Sequence, residues 1–216
     1  MELFIDTANI DEIREIARWG VLRGVTTNPK IFANEDVDLR TRVEEILDIL
    51  PGPLSLEVTT NDLEEMIQEA QTYASWSEHI VAKVPMGPTG LQAVQTLQKR
   101  GIKTNVTAVM TVNQAALAAM TGATYVSIFF SRINDIGYDG IQVIKQTAEL
   151  FRQSRFFTKI IVGSIRVLTQ INEAALAGAD IVTVPYKFFQ QMATHPQTER
   201  TIQEFLEAWG VGKTRL

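Results

Sequence analysis

The stretch VNQAALAAMTGATYVSIF, residues 112–129, reads in order as an alanine-rich helix, a turn at Gly122 and a strand of β-branched and aromatic residues. The stretch VLTQINEAALAGADIVTV, residues 167–184, repeats that order with its turn at Gly178, and Gly101 marks a similar turn. Glycine is favoured directly after a helix because it adopts the left-handed conformation that closes the last turn. The two stretches are therefore predicted to be one helix–turn–strand module that occurs twice.

Outward from these stretches, short apolar strands alternate with amphipathic helices along the whole chain. The strands are predicted at residues 2–6, 24–27, 54–58, 80–84, 103–107, 124–129, 159–164 and 180–184. The intervening helices are predicted at 10–17, 43–50, 62–76, 91–99, 112–120, 140–152 and 167–177, the first of them capped by Asn9. Eight such pairs, without a linker or a change in composition, predict one α/β domain over residues 1–216 that forms a closed (β/α)₈ barrel. An open, doubly wound sheet is the alternative.

A further helix is predicted after the last strand, at about residues 197–209. Its apolar residues recur at helical spacing and form a stripe of Ile202, Phe205, Leu206 and Trp209. A barrel closes without such a helix, so the stripe is expected to cover a barrel face or to pack on another subunit.

Charge and composition exclude several classes of function. The 20 Lys and Arg residues are scattered singly among 25 Asp and Glu, so no nucleic-acid-binding surface is predicted. The absence of cysteine excludes disulfides and thiolate metal sites and favours a cytoplasmic location. His79 and His195 are too isolated for a metal site, and no apolar run approaches the ~20 residues that span a bilayer. We therefore expect no metal, nucleic acid or membrane partner, and proton transfer by carboxylates, Lys or Tyr.

Charged residues interrupt three predicted strands at or near their carboxyl ends, namely Asp6, Glu57 and Lys83. Both faces of a strand in a parallel barrel are covered, so such strands are expected to be apolar, and barrel enzymes have their active sites at the carboxyl ends. Each residue alone has an ordinary interpretation, as a lysine with its ammonium at the surface or a carboxylate that caps nearby amides. Because a buried unpaired charge is costly, we expect the three side chains to converge.

A lysine flanked by carboxylates can form a Schiff base with a ketone or an aldehyde without a metal or an organic cofactor. Other polar residues occur at the ends of the later strands and suggest a phosphorylated substrate, because a guanidinium binds phosphate through two parallel hydrogen bonds. Alternation along a strand puts Asn105 and Thr107 on one face of the fifth strand, and it puts Ser127 and Phe129 on one face of the sixth. These candidates are Asn105, Thr107, Ser127, Phe129, Arg132, Ser164 and Arg166.

Several short segments contain these candidates: FIDTA (4–8), GVTTNP (24–29), VAKVP (81–85), TNVT (104–107) and GSIR (163–166). Together they resemble the short transaldolase and fructose 6-phosphate aldolase family over nearly the whole chain. The resemblance implies a (β/α)₈ barrel that acts on sugar phosphates without a cofactor. It also implies a homo-oligomer, a pentamer or a decamer, in which the C-terminal helix is exchanged between subunits.

The resemblance also implies a role for each candidate. Lys83 would be the Schiff-base lysine, Asp6 the proton-transferring acid, and Glu57 with Thr107 the pair that handles water. The implied substrate-binding residues are Thr27, Asn28, Asn105, Ser127 and Phe129, and the implied phosphate-binding residues are Arg132, Ser164 and Arg166.

Two positions separate the activities of the family. The aldolase branch carries Gln at the position of Glu57 and Tyr at the position of Phe129, whereas the transaldolase branch carries Glu and Phe. A tyrosine hydroxyl can help to protonate the enamine and release free dihydroxyacetone, whereas phenylalanine has no proton to give. Ile128 and Ser131 depart from the Pro and Gly expected around Phe129.

The sequence therefore predicts a transaldolase of the pentose phosphate pathway that moves a three-carbon unit between sugar phosphates. One alternative is an aldolase that cleaves fructose 6-phosphate and releases dihydroxyacetone. An alternative from another class is a barrel that binds phosphorylated sugars without turnover.

Overall fold

The computed structural model describes residues 1–33 and 35–212. Eight parallel strands follow one another around a closed barrel, and the last pairs with the first. They are β1 (Glu2–Asp6), β2 (Leu22–Thr26), β3 (Leu54–Glu57), β4 (Ile80–Pro85), β5 (Thr104–Val109), β6 (Tyr125–Phe129), β7 (Lys159–Gly163) and β8 (Ile181–Val184). The predicted (β/α)₈ barrel is confirmed, and the open sheet is wrong.

The helices lie between and after these strands. They are α1 (Ile10–Ala17), α2 (Pro29–Phe32), α3 (Leu39–Ile49), α4 (Leu63–Ala74), α5 (Pro88–Lys99), α6 (Val112–Met120), α7 (Phe130–Asp135), α8 (Gly140–Ser154), α9 (Thr169–Leu176), α10 (Tyr186–Ala193) and α11 (Pro196–Gly212). The helices α2, α7 and α10 were not predicted. Of these, α2 and α7 have only 4 and 6 residues, which is too short for a helical period to be recognised. The helix α11 contains the whole of the predicted 197–209 segment.

Local signals in the sequence explain where several helices begin and end. The side chain of Asn9 accepts hydrogen bonds from the amides of Asp11 and Glu12 at the start of α1, as predicted. The predicted turn glycines, Gly101, Gly122 and Gly178, have φ values of 73°, 86° and 104°. The left-handed conformation therefore ends the helix before each of β5, β6 and β8.

The inside of the barrel is apolar at its amino-terminal end. Phe4, Tyr125, Ile161 and Ile181 pack together there, with the rings of Phe4 and Tyr125 edge to face at 6.4 Å. Gly24 makes room for this layer, because a Cβ atom on it would lie 2.6 Å from the Phe4 ring. Side chains two positions further along each strand point the same way, so this layer is the floor beneath the carboxyl-terminal mouth.

The larger part of the hydrophobic core lies between the strands and the surrounding helices. Among the described residues there is no helical segment with the length and hydrophobicity needed to traverse a bilayer. That residues 1–216 form one domain stays a prediction.

Candidate active site

Lys83 points into the barrel, where its side chain is only 6% exposed. Its Nζ atom lies 2.8 Å from Oε2 of Glu57 and donates a hydrogen bond of 2.9 Å to the carbonyl oxygen of Thr27. Glu57, Lys83 and Asn105 are in register on the adjacent strands β3, β4 and β5. Because residues in register on parallel strands point to the same side of the sheet, the strand pairing itself brings these three side chains together.

Asp6 ends β1 and is in register with Thr26 on β2. The hydroxyl of Thr26 donates to Oδ1 of Asp6 at 2.8 Å and lies 2.6 Å from the hydroxyl of Thr183. Burial raises the pKa of Asp6, whereas the Thr26 hydrogen bond and the positive charge of Lys83 oppose that rise. The mouth of the barrel thus holds a carboxylate that takes up a proton more readily than an ordinary aspartate.

Sequence reasoning missed Thr26 and Thr183. Threonine is a common strand residue, so neither position breaks the β-branched pattern in the way that a charge does. A usable signal was the position of Thr183, which lies two residues after Ile181 on the same inward face of β8.

A cavity of about 130 Å³ opens at the carboxyl ends of the strands. Most of the residues around it belong to the predicted site, and the rest are Thr26, Gly163 and Thr183. The full lining consists of Asp6, Thr26, Asn28, Lys83, Ser127, Phe129, Arg132, Gly163, Ser164 and Thr183. The structure therefore brings together groups from β1, β2, β4, β6, β7 and β8 and from α7.

Two predicted substrate-binding residues lie behind the cavity wall. Asn105 accepts a hydrogen bond from Ser127 at 2.8 Å and donates one to the hydroxyl of Ser55 at 3.2 Å. Thr27 is fully buried, and its hydroxyl donates to the carbonyl oxygen of Ser55 at 2.7 Å. These bonds fix Ser127, which lines the cavity, and the Thr27 carbonyl, which holds Lys83.

Asn28 is the predicted substrate-binding residue at the start of α2. Its side chain accepts a hydrogen bond of 3.1 Å from the amide of Ile31, and Pro29 follows in the first turn. The motif Thr-Thr-Asn-Pro therefore encodes a strand end and a helix cap that holds Asn28 at the cavity.

Thr107 is buried, and its hydroxyl has no hydrogen-bond partner within residues 1–33 and 35–212. It is in register with Pro85, two positions beyond the pairing of Lys83 with Asn105, so it points to the same side of β5 as Asn105. The next residue, Ala108, has a φ of 59°, and the pairing of β5 with β6 becomes irregular there. A left-handed alanine is strained, and such strain is concentrated at functional sites.

The predicted phosphate-binding residues lie on the loops after β6 and β7, the first of which contains the short helix α7. Arg132 lies in α7, with its guanidinium 5.4 Å from the centre of the Phe129 ring, and it lines the cavity together with Ser164. Ser164 has a φ of 60°, which is unusual for a residue other than glycine. Arg166 turns to Asp135 instead, with Nη1 2.9 and 2.7 Å from the two carboxylate oxygens.

The fold and the site define a class: (β/α)₈ barrels with a buried lysine and two carboxylates near it at the carboxyl ends of the strands. The family described as transaldolase/fructose-6-phosphate aldolase matches residues 3–214. The chain belongs to this family.

Relatives in several bacteria align over nearly their full length. The chain is 50% identical to a protein of Clostridium tetani, with 96% of this chain and 97% of that protein covered. It is 47% identical to a protein of Symbiobacterium thermophilum over the whole of both chains, and 48% identical to one of Alkaliphilus metalliredigens, with 97% and 98% covered. Each of the three is named a probable transaldolase.

Similar solved structures include more distant barrels. One is a flavocytochrome b2 variant with sulfite bound, which has a TM-score of 0.61 and 13% identity. The match covers 86% of this chain and 56% of that chain. The same variant with pyruvate bound has a TM-score of 0.60 and 14% identity, and that match covers 82% of this chain and 52% of the other. At such identities the likeness shows the fold alone.

Proposed function

We propose that the protein is a transaldolase that transfers a dihydroxyacetone unit between sugar phosphates through a Schiff base on Lys83. The donor would be fructose 6-phosphate or sedoheptulose 7-phosphate, as in the pentose phosphate pathway, and no cofactor would be needed. The observation that carries the proposal is the buried Nζ of Lys83, 2.8 Å from Glu57, in a cavity that Asp6 also lines.

The first half of the reaction forms the Schiff base. Glu57 is close enough to accept a proton from Nζ, and the neutral amine then attacks the C2 carbonyl of the donor. The carbinolamine loses water to give an iminium ion, and Glu57 with Thr107 holds that water. The hydroxyl of Thr107, without a hydrogen-bond partner in the described chain, supports this role.

The second half breaks the C3–C4 bond. Asp6 takes the proton of the C4 hydroxyl, the C4 oxygen becomes an aldehyde, and the electrons of the broken bond move to the iminium nitrogen. The aldose phosphate leaves. An incoming aldehyde phosphate then captures the three-carbon enamine while Asp6 returns its proton to the new hydroxyl, and hydrolysis of the new iminium ion by the water at Glu57 and Thr107 releases the ketose phosphate and Lys83. The raised pKa of Asp6 supports its role as the base, because it makes the carboxylate a better proton acceptor near neutral pH.

The phosphate group would lie at the end of the cavity lined by Arg132 and Ser164. Arg166 would join them by exchanging the Asp135 carboxylate for a phosphate oxygen, because both offer paired acceptors to one guanidinium.

The aldolase alternative depends on the fate of the enamine. Phe129 lines the cavity and offers no hydroxyl to protonate the enamine, which supports transfer over release. We therefore expect little free dihydroxyacetone from fructose 6-phosphate alone, and erythrose 4-phosphate with fructose 6-phosphate once sedoheptulose 7-phosphate and glyceraldehyde 3-phosphate are both supplied.

Borohydride reduction tests the mechanism directly. With fructose 6-phosphate present, reduction should fix a three-carbon adduct on Lys83, as read by mass spectrometry of the digested protein, and Lys83→Met should show no adduct. An adduct on another lysine would overturn the assigned mechanism. Binding of the sugar phosphate with no adduct at all would support the binding barrel without turnover.

We further propose that α11 mediates assembly into a homo-oligomer, because Ile202, Phe205 and Leu206 on this helix are exposed. Sedimentation of Phe205→Glu beside the wild type tests it, and an unchanged sedimentation coefficient would contradict it. A cytoplasmic location stays a prediction.

A further inference from the structure

A buried hydrogen bond joins the two loops that carry the proposed phosphate ligands. Ser131, on α7 directly before Arg132, is 4% exposed, and Gln170, in the first turn of α9, is 8% exposed. The hydroxyl of Ser131 donates to Oε1 of Gln170 at 3.0 Å. The amide of Ser131 also donates to the carbonyl oxygen of Ser164 at 3.3 Å, so these two bonds link the loops in addition to the exposed pair of Arg166 and Asp135.

The same oxygen of Gln170 fixes the backbone of the second loop. It accepts the amide of Arg166 at 2.8 Å and the amide of Val167 at 3.2 Å. One carbonyl oxygen with two lone pairs thus receives three donors, two from the loop after β7 and one from the loop after β6. Loss of Oε1 would leave the buried Ser131 hydroxyl and two partly buried backbone amides without their acceptor.

Comparison with a second glutamine, Gln114, shows which of the hydrogen bonds of Gln170 are ordinary and which one is unusual. Gln114, at the start of α6, reaches back in the same way and accepts the amides of Met110 and Thr111 at 2.8 and 3.2 Å. The bond from Thr111 belongs to a capping box, which stabilises the start of a helix, and the bond from Met110 lies beside it. Gln170 also accepts a hydrogen bond from the hydroxyl of Ser131. The family resemblance led us to expect glycine at position 131.

We propose that Ser131 and Gln170 are positioning residues that lock the loops of Arg132 and Arg166 to each other and hold the phosphate ligands at a fixed separation. This rests on the proposed function. Neither residue is among those that line the described cavity, so both act through the backbone of their neighbours. A site whose loop backbones are already fixed loses less conformational entropy when phosphate binds, which strengthens binding.

The expected effect is confined to the phosphate group. Loss of one buried hydrogen bond in Ser131→Ala should weaken inhibition by inorganic phosphate about fivefold and raise KM for fructose 6-phosphate by a similar factor. The kcat for fructose 6-phosphate, and kcat/KM for fructose, should stay within about twofold of the wild type, because the Schiff-base residues are not disturbed. A general loss of stability would lower the activity toward fructose 6-phosphate and toward fructose alike.

A double-mutant cycle tests the route through Gln170. Gln170→Met removes the acceptor at similar volume, and adding Ser131→Ala to it should change phosphate inhibition by less than about twofold, because the bond is already absent. Thr158→Val is the matched control, since it removes a buried hydroxyl that donates to the carbonyl oxygen of Ala123 at the amino-terminal end of the barrel. It should leave phosphate inhibition unchanged.

The dissociation constant of inorganic phosphate, measured by calorimetry, separates this proposal from the proposed function. If the wild type binds phosphate but transfers nothing from fructose 6-phosphate, the proposed function fails and the effect of Ser131→Ala on phosphate binding still decides the positioning role. A folded Ser131→Ala protein with wild-type phosphate binding would overturn the proposal, as would a wild type that binds no phosphate. If Gln170→Met does not fold, Ser131→Ala carries the test.

Discussion

Two lysine–glutamate pairs, one at each end of the barrel, have the same chemistry and different surroundings. Lys83 and Glu57 lie 2.8 Å apart near the carboxyl ends of β4 and β3, with side chains 6% and 22% exposed. Lys159 and Glu2 lie 3.1 Å apart at the amino-terminal starts of β7 and β1, with side chains 49% and 43% exposed. The hydrogen bond that Lys159 donates to Glu2 raises the pKa of Lys159, which keeps that amine protonated.

The difference indicates that burial, rather than the pairing of charges, distinguishes the proposed site. An exposed pair contributes about 0–1 kcal/mol and is screened by salt, whereas a buried pair must offset the cost of removing two charges from water. The amino-terminal end also has the larger depression, about 510 Å³ beside Lys159 and Asp180, but its charged residues are all exposed. Cavity size alone would have selected the end of the barrel opposite to the proposed site.

The largest expected difference separates the two lysines. Lys83→Met should lower kcat/KM for fructose 6-phosphate by at least about 10³-fold, because the nucleophile is gone. Lys159→Met, the matched substitution at the other end, should leave kcat/KM within about twofold. Steady-state kinetics of both variants checks this, and similar losses in the two would remove the distinction between the ends.

The next largest effect is expected for Asp6→Asn, which removes the base and should lower kcat by about 10²- to 10⁴-fold. The stability of this variant, in contrast to its kcat, should rise. Burial raises the pKa of Asp6 above its ordinary value of 3.8, so between that value and the raised one the folded protein holds a proton that the unfolded chain has released. The free energy of unfolding of the wild type therefore falls as pH rises through this interval.

Asparagine has no proton to lose, so Asp6→Asn should be more stable than the wild type at neutral pH. Thermal unfolding from acid to neutral pH checks the sign, and a variant that is less stable at neutral pH would contradict it.

A smaller change, in pH dependence, is expected for Thr26→Val. The hydroxyl of Thr26 donates to the Asp6 carboxylate and lowers its pKa, so its removal should raise that pKa further. The acid limb of kcat/KM should then move to higher pH, because the base must be deprotonated to act. Thr183→Val is the control: the Thr183 hydroxyl contacts Thr26, so its removal should move the limb less. An acid limb that stays in place in Thr26→Val would mean that another group sets it.

The smallest effect is expected at Arg166 and Asp135, a pair exposed like Lys159 and Glu2 but located at the mouth like Lys83 and Glu57. Asp135→Asn should free Arg166 and strengthen inhibition by inorganic phosphate by at most about fivefold, which corresponds to ~1 kcal/mol for an exposed pair. Asp139→Asn removes the same charge while asparagine can still cap α8, so it should have less effect. Equal effects of the two variants would point to net charge rather than release of Arg166.

The sequence predicted the order of strands well, because each strand is a short apolar run bounded by a turn residue. The predicted ends of the strands differ from the observed ends by one or two residues, at places where polar residues extend or shorten the strand pairing. The strand predicted at 24–27 is Leu22–Thr26, and Thr27 instead turns its carbonyl to Lys83. Neither the pairing of Arg166 with Asp135 nor that of Ser131 with Gln170 could be predicted, because the partners are 31 and 39 positions apart and follow different strands.

By itself the sequence determined the α/β alternation, the charges that interrupt three strands and the segments that identify the family, because periodicity and residue type are local properties of a chain. Tertiary structure decided which charges lose their water and which polar groups meet. Strand register brings Lys83 beside Glu57, while closure of the barrel brings Thr183 on the last strand next to Thr26 on the second. Contacts of this kind depend on the closure of the sheet, and no local pattern in the chain records that closure.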